Sequence, residues 1–169
     1  MQKILSLFLI GILFFAISSC EEDTVDPTPE VQRVMIDRVE IPHIPFQNSN
    51  GDDWDSAFDP KPDVYFKITK DTVENLPDSL VLLNKRSANY SEVSQGDLPL
   101  TWSLVNPFEI SDWNMPFYVQ VFDRDPITDD DFMGVAGSFR IEDIIDDQPE
   151  STIMSAGDLQ VEIFWIYEE

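Results

Sequence analysis

The sequence predicts an all-β protein built as an antiparallel β-sandwich, and three features support this class. From Arg33 onward, short apolar or alternating stretches are separated by Pro, Gly, Asp and Asn, a pattern typical of strands joined by turns. No long stretch of this region carries the apolar period of a helix. About 150 residues remain after an N-terminal leader, which is enough for one domain with its own core.

Seven strands follow from the positions of the apolar stretches. The first, second and last alternate most clearly, and the fifth is an almost unbroken apolar run, FYVQVFD. One face of each strand is expected to fill the core between two sheets. The predicted strands span 33–42, 63–70, 79–84, 99–105, 116–123, 133–141 and 159–168. The expected core residues are Ile36, Val39, Ile41, Val64, Phe66, Ile68, Val119, Val121, Val161, Ile163 and Trp165, with Trp102 as a further core side chain.

The first nineteen residues predict an export signal rather than part of the fold. Lys3 is the only charged residue before Cys20, and residues 4–17 form a nearly unbroken apolar run. That run is shorter than the roughly 20 residues of an ordinary spanning helix and fits a secretory signal. It ends in ISSC, which resembles the lipobox of bacterial lipoproteins. The resemblance implies that Cys20 carries the lipid, palmitate included, and starts the mature chain; cleavage elsewhere would leave an incidental cysteine.

The segment after Cys20 is predicted to be an acidic, flexible tether. Residues 20–31 contain two prolines and almost no large apolar side chain, a composition that does not form a core. The run EED at 21–23 resembles the tag that directs some Bacteroidota lipoproteins to the cell surface. We therefore expect a chain anchored in the outer membrane of the cell envelope, exposed at the surface, with one domain at 32–169.

The charge of the chain excludes some partners. Its formal net charge is −23, becoming −24 when Lys3 leaves with the signal, and its pI is about 4.1. Nucleic-acid binding needs clustered Lys and Arg, which this composition does not supply. Simple electrostatic attachment to anionic lipid is disfavoured for the same reason.

The most informative motif is an acidic stretch that follows the fifth predicted strand. Asp123 and Asp125 alternate with other residues, so in an extended chain their side chains point the same way. A loop can return Asp131 to their side, just before the next apolar strand. Carboxylates held together repel one another unless a cation neutralises them. Calcium is the natural candidate because it accepts 6–8 oxygen ligands in flexible geometry.

These spacings resemble the calcium-binding C2 domain. The stretch DRDPITDDDFMG at 123–134 is similar to the third calcium loop of that family, and PDVYFK at 62–67 is similar to the end of its first loop. Trp54 and Asp55 match the Trp-Asp step found before that loop's end in many bacterial members. The resemblance covers roughly residues 34–167. It implies eight strands, and the 85–98 segment is the expected place of the eighth, while 142–158 is expected to be a loop with one helical turn near Ile141.

The family's ligand set can be transferred residue by residue. It implies two calcium ions bound by Asp55, Asp63, Asp123, Asp125 and Asp131, with the 46–62 and 124–132 loops at one end of the sandwich. In the first loop Asp52, Asp53 or Asp59 can take the place of Asp55, and in the third Asp129 or Asp130 can add a ligand. The alternative is that these aspartates only form turns. A set without histidine or cysteine disfavours zinc, copper and iron. Magnesium is the alternative ion, but it prefers stricter octahedral geometry and retained water.

No catalytic constellation stands out, so the chain is not expected to be an enzyme. His43 is the sole histidine and Cys20 the sole cysteine, and a surface or structural role is the simpler interpretation of His43. Two functions remain open. The C2 resemblance implies calcium-dependent phospholipid binding, with Phe58 and Ile127 as apolar tip residues that insert into a membrane. The alternative is a calcium-stabilised surface module that binds a protein or glycan.

Overall fold

The computed structural model describes residues 30–54 and 61–169. The predicted signal segment, Cys20 and the start of the tether lie outside these ranges, as do Asp55, Phe58 and Asp59. Within the ranges that it describes, no helix is long and apolar enough to cross a membrane.

The described chain forms eight strands in two four-stranded antiparallel sheets, which confirms the predicted eight-stranded sandwich. Sheet 1 has the order β4-β1-β8-β7 and sheet 2 the order β3-β2-β5-β6. The strands are β1 (Arg33–His43), β2 (Val64–Thr69), β3 (Val81–Asn84), β4 (Leu100–Glu109), β5 (Phe117–Asp123), β6 (Asp131–Phe139), β7 (Ser151–Ala156) and β8 (Leu159–Glu168). Short 3-10 turns lie at Asp78–Leu80, Arg86–Ala88, Gln95–Asp97 and Ile141–Asp143.

The core lies between the sheets, and every core residue expected from the alternation is buried in it. Trp102 is buried as predicted. Its ring packs edge-on against Phe66 with a centroid distance of 5.1 Å, and its indole N–H donates to the carbonyl oxygen of Ala88 at 2.7 Å. The hydrogen bond satisfies the one polar atom of a side chain that is otherwise core.

A β-bulge in β1 explains why its core-facing residues are even-numbered in the first half of the strand and odd-numbered in the second. The register of β1 with both neighbouring strands shifts immediately after Ile36. Val34 and Ile36 are buried before the shift, and Val39 and Ile41 are buried after it. The extra residue of a bulge moves the alternation by one, so both halves of the strand present apolar side chains to the same core.

The predicted position of the eighth strand is wrong. Segment 85–98 holds two 3-10 turns, and the missing strand is β7, inside the segment expected to be a loop. As an edge strand of sheet 1, β7 buries only Met154, so its sequence shows little apolar alternation. The available signal was the Gly157–Asp158 pair, a two-residue hairpin turn in which Gly157 has a φ of +58°. The expected helical turn is present at Ile141–Asp143.

Candidate functional site

The register of sheet 2 brings the two acidic segments to one end of the sandwich. Asp123, the last residue of β5, pairs with Val64 at the start of β2 and with Asp131 at the start of β6. Asp63 directly precedes Val64, so it lies beside the loop between β5 and β6. Asp63, which follows the predicted 46–62 loop, therefore lies at the same end of the sandwich as the start of the 124–132 loop.

Asp63 and Asp123 hold neighbouring segments of the chain together. The Asp63 amide donates to Asp123 Oδ1 at 2.6 Å, and the Arg124 amide donates to the Asp63 carbonyl at 2.8 Å. Asp63 Oδ1 in turn accepts from the Glu92 amide at 2.9 Å. Asp123 is fully buried and Asp63 half-buried. These two carboxylates therefore sit at the base of the site, where three segments are fastened to one another.

Asp125 and Asp131 lie at the same end of the sandwich but are more exposed than Asp123, and their charges interact. Asp125 is half-buried and Asp131 is exposed as a residue. Partial burial of its carboxyl raises the pKa of Asp131, and the negative charges of Asp125 and Asp130 raise it further. The repulsion from these two charges therefore adds to the effect of burial, and a cation at this end would relieve it.

Asp130 has a different environment from its neighbours. Arg86 forms a bidentate ion pair with Asp130, in which Nε donates to Oδ2 at 2.6 Å and Nη2 donates to Oδ1 at 2.8 Å. The Tyr65 hydroxyl also donates to Oδ2, at 2.6 Å. Burial alone raises the pKa of Asp130, but the hydrogen bonds from Arg86 and Tyr65 prevail and lower it below the usual value. Burial raises the pKa of Tyr65, and its hydrogen bond to the charged Asp130 raises it further, while Arg86 lowers it.

An aromatic cluster supports this ion pair from the outer face of sheet 2. Tyr65 and Phe122 stack with ring centroids 5.2 Å apart, and Lys67 Nζ lies 4.1 Å from the centroid of the Phe122 ring. Burial lowers the pKa of Lys67. The ammonium group over the ring adds a cation–π contact.

Residues 126–129 form the exposed tip of the loop between β5 and β6. All four are exposed, and Ile127 is 92% exposed. An isolated apolar side chain with that exposure on an acidic tip has no packing role in the fold. Ile127 therefore lies where the sequence expected an apolar tip residue.

The remaining predicted first-loop ligands are only partly described. Asp52 and Asp53 are exposed in a turn in which the Asn48 side chain accepts from the Asp52 amide at 3.1 Å. Asp55 and Asp59 lie outside the described residues. Among residues 30–54 and 61–169, no three His, Cys, Asp or Glu side chains are grouped so as to hold a metal ion. The oxygen-only donors at this end nevertheless have the chemistry that calcium prefers.

His43 lies at the end of β1 and is exposed. It lines an open cleft of about 690 Å³ together with Glu40, Gln95 and Gln160. This position agrees with the expected surface histidine.

No protein-family model matches the chain, and no curated protein is significantly similar to it. The fold and the geometry of the acidic end therefore carry the functional argument.

Arg86 and Tyr65 are the residues of this end whose role the sequence did not predict. Tyr65 belongs to the PDVYFK motif and Arg86 follows β3, but nothing in their spacing shows that both bind Asp130. The sequence feature that bears on this contact is the count of charges, 33 acidic residues against 10 Lys and Arg. With so many carboxylates, any arginine that becomes partly buried on folding is expected to have a carboxylate partner.

Proposed function

We propose that this protein is a non-catalytic, calcium-binding C2-like module. Asp63, Asp123, Asp125 and Asp131 would hold the ions, and Asp55 would complete the set from the first loop. The observation that carries the proposal is the pairing of Asp123 with Val64 and Asp131. The proposal is supported because this pairing brings the chain segments that carry Asp63, Asp123, Asp125 and Asp131 to one end of the sandwich.

The chemistry of the donors supports calcium over other metals. The expected set is made of carboxylate oxygens, which suit a hard cation that takes 6–8 ligands. Each carboxylate offers about four lone-pair sites. Among the described residues, the Asp63 carboxylate accepts one amide hydrogen bond, from Glu92, which leaves further acceptor capacity on that side chain. When bound, calcium would supply positive charge that neutralises the acidic end, and the C2 resemblance implies two ions.

We propose phospholipid as the partner of the calcium-loaded end. The acidic tip repels an anionic membrane until calcium neutralises it, and the ions can then bridge to lipid phosphate. Ile127, which is 92% exposed, would insert beside the headgroups, with Phe58 as its expected counterpart. Cys20 would anchor the same chain in the outer membrane, so the tip would contact that membrane or a second one.

Co-sedimentation with vesicles tests this proposal. A chain of residues 21–169, which lacks the lipidated cysteine, is mixed with phosphatidylserine–phosphatidylcholine vesicles in calcium or in chelator. We expect it to pellet only with calcium, and Asp125→Asn to remain in the supernatant. Equal pelleting with calcium and chelator, or none in either, contradicts phospholipid recognition.

A second candidate function is a calcium-stabilised module that binds a protein or glycan. The observation that favours it is the number of bonds that already fasten the loop ends, among them Asp63 to Asp123 and Asp130 to Arg86. A preformed tip suits a rigid recognition surface. Calcium would then raise the melting temperature without bringing the chain to vesicles.

A further inference from the structure

We infer that Arg86 and Tyr65 are positioning residues for the calcium loop and that Asp130 is their anchor rather than a calcium ligand. The inference rests on the proposed calcium site and adds to it the device that sets the shape of the loop. The sequence left open whether Asp130 adds a calcium ligand, and the inference assigns it the role of an anchor instead.

The acceptor capacity of Asp130 is fully used by the protein. Oδ2 accepts from Arg86 Nε and the Tyr65 hydroxyl, both at 2.6 Å, and Oδ1 accepts from Arg86 Nη2 at 2.8 Å and the Asp125 amide at 3.3 Å. A carboxylate has about four lone-pair sites. These four bonds occupy them, so Asp130 can bind calcium only by giving up contacts with the protein.

The partners of Asp130 come from parts of the chain that are themselves fixed. Tyr65 is a fully buried residue of β2. The Arg86 amide donates to Asn84 Oδ1 at 2.9 Å, and the preceding Lys85 amide donates to the Phe66 carbonyl at 3.0 Å. The anchor thus ties the calcium loop to β2 and to the end of β3.

The same contacts set the distance across the loop. The bond from the Asp125 amide to Asp130 joins the two sides of the loop, and Arg86 Nη2 also approaches the Asp125 carbonyl at 3.5 Å. Asp125 and Asp131, two of the proposed ligands, lie at the two ends of this closed segment. Residues 126–129, between Asp125 and Asp130, form the exposed tip of this segment. Holding metal ligands at a preset spacing raises affinity because less order must be gained on binding.

The two roles of Asp130 predict different effects of removing Arg86. If Asp130 were a ligand, Arg86→Gln would free its carboxylate and remove a nearby positive charge, and calcium would bind more tightly. If Asp130 is the anchor, Arg86→Gln also loosens the calcium loop. The loss of loop order weakens calcium binding and so opposes the electrostatic gain. A charge-matched double variant, Arg86→Gln with Asp130→Asn, removes one positive and one negative charge together and isolates the effect of positioning.

The experiment is calcium titration by isothermal calorimetry on the full chain in detergent. We expect the double variant to bind the same number of ions as the wild type with affinity lower by about tenfold or more, the range found when partners that orient metal ligands are removed. Tyr65→Phe should give a smaller loss. The control is the double variant Arg140→Gln with Glu142→Gln, which removes a surface pair just after the far end of β6, and it should bind calcium as the wild type does.

Hydrogen exchange without calcium gives a readout that does not depend on the proposed function. Amides 125 and 127–131 should exchange faster in the charge-matched double variant than in the wild type, and the control should not differ. A wild type that binds no calcium defeats the proposed function, and exchange then decides whether the anchor exists. Unchanged exchange, unchanged calcium affinity of the double variant, or tighter binding by Arg86→Gln with the loss of one ion by Asp130→Asn overturns the inference.

Discussion

The two sheets differ in how they bury their outer faces. Along β8 of sheet 1, buried residues such as Val161 and Ile163 alternate with partly exposed ones such as Glu162 and Phe164. In β5 of sheet 2, every residue except Tyr118 is fully buried. Alternation is what an antiparallel sheet with one solvated face shows, whereas burial on both faces requires something to cover the outside.

Polar contacts, together with the stacked rings of Tyr65 and Phe122, cover the outer face of sheet 2. The buried Gln120 side chain donates to the Val73 carbonyl at 2.9 Å, and the Thr69 hydroxyl donates to the Asp71 carbonyl at 2.8 Å. Further along the face, Arg86 and Asp130 close over Tyr65. The comparison indicates that polar contacts brace the outer face of sheet 2 from Thr69 through Gln120 to the acidic end, whereas sheet 1 is held mainly by its core face.

Truncation in the core of sheet 2 should have the largest effect. Phe66 is fully buried and packs against Trp102. Phe66→Ala should lower the free energy of unfolding by about 3–5 kcal/mol, through lost burial and the cavity that remains. Ile153 on the outer face of sheet 1 is 57% exposed, and Ile153→Ala should change it by less than about 0.5 kcal/mol. Urea unfolding compares the two, and similar losses would contradict the contrast between core and surface.

A polar truncation on the outer face of sheet 2 should have an intermediate effect. Gln120→Ala removes the bonds to the carbonyls of Asp71 and Val73 and should cost about 1–3 kcal/mol. The matched variant is Gln160→Ala in sheet 1, whose side-chain amide donates to Ser155 at an exposed position, and it should cost less than about 0.5 kcal/mol. If the costs, measured in the same urea titrations, are equal, the bracing of sheet 2 is not energetically significant.

Asp130→Asn should have a smaller effect that depends on pH. The pKa of Asp130 is lowered in the folded chain, so its ionised form stabilises the fold above the unfolded value of 3.8 and this contribution is lost as pH falls through the folded pKa. At pH 7 the substitution should cost about 1 kcal/mol, a modest value because the partner Arg86 is partly exposed. The difference between wild type and variant should shrink in chemical unfolding at pH 3. A difference that does not depend on pH would contradict the assigned ion pair.

Ile127→Ser should have the smallest effect on the fold. Because Ile127 is 92% exposed, the variant should unfold within about 0.5 kcal/mol of the wild type. The same substitution should weaken calcium-dependent vesicle binding in co-sedimentation, since it removes the apolar tip. Val105→Ser, at the other highly exposed apolar position, 97% exposed on β4, is the control and should leave vesicle binding unchanged.

The sequence predicted most of the fold because alternation reports directly on burial. Val161 and Ile163, for example, were assigned to the core from their spacing alone, and both are fully buried. The edge strand β7 was missed because an edge strand that buries one side chain leaves almost no periodic signal. Its hairpin turn at Gly157 carried the information that its side chains did not.

For the acidic end, the sequence could predict proximity but not the bonding of each carboxylate. The spacing of Asp123, Asp125 and Asp131 places them together because they flank one short loop. The contact between Arg86 and Asp130 joins residues 44 positions apart, and nothing in the local pattern distinguishes Asp130 from its acidic neighbours. Pairing of that kind depends on the three-dimensional arrangement of β2, β3 and the loop.

The most direct test of the proposed calcium site is differential scanning calorimetry with and without calcium. At a calcium concentration a hundredfold above the Kd, the wild type should gain about 2.7 kcal/mol, a rise in melting temperature of several degrees at about 2–4 °C per kcal/mol. Asp125→Asn should lose most of that rise and be no less stable without calcium, because it removes a repelling charge. Asp143→Asn, in the turn beyond the far end of β6, should keep it. Equal rises in wild type and Asp125→Asn, or none in the wild type, would contradict a calcium site at this end of the sandwich.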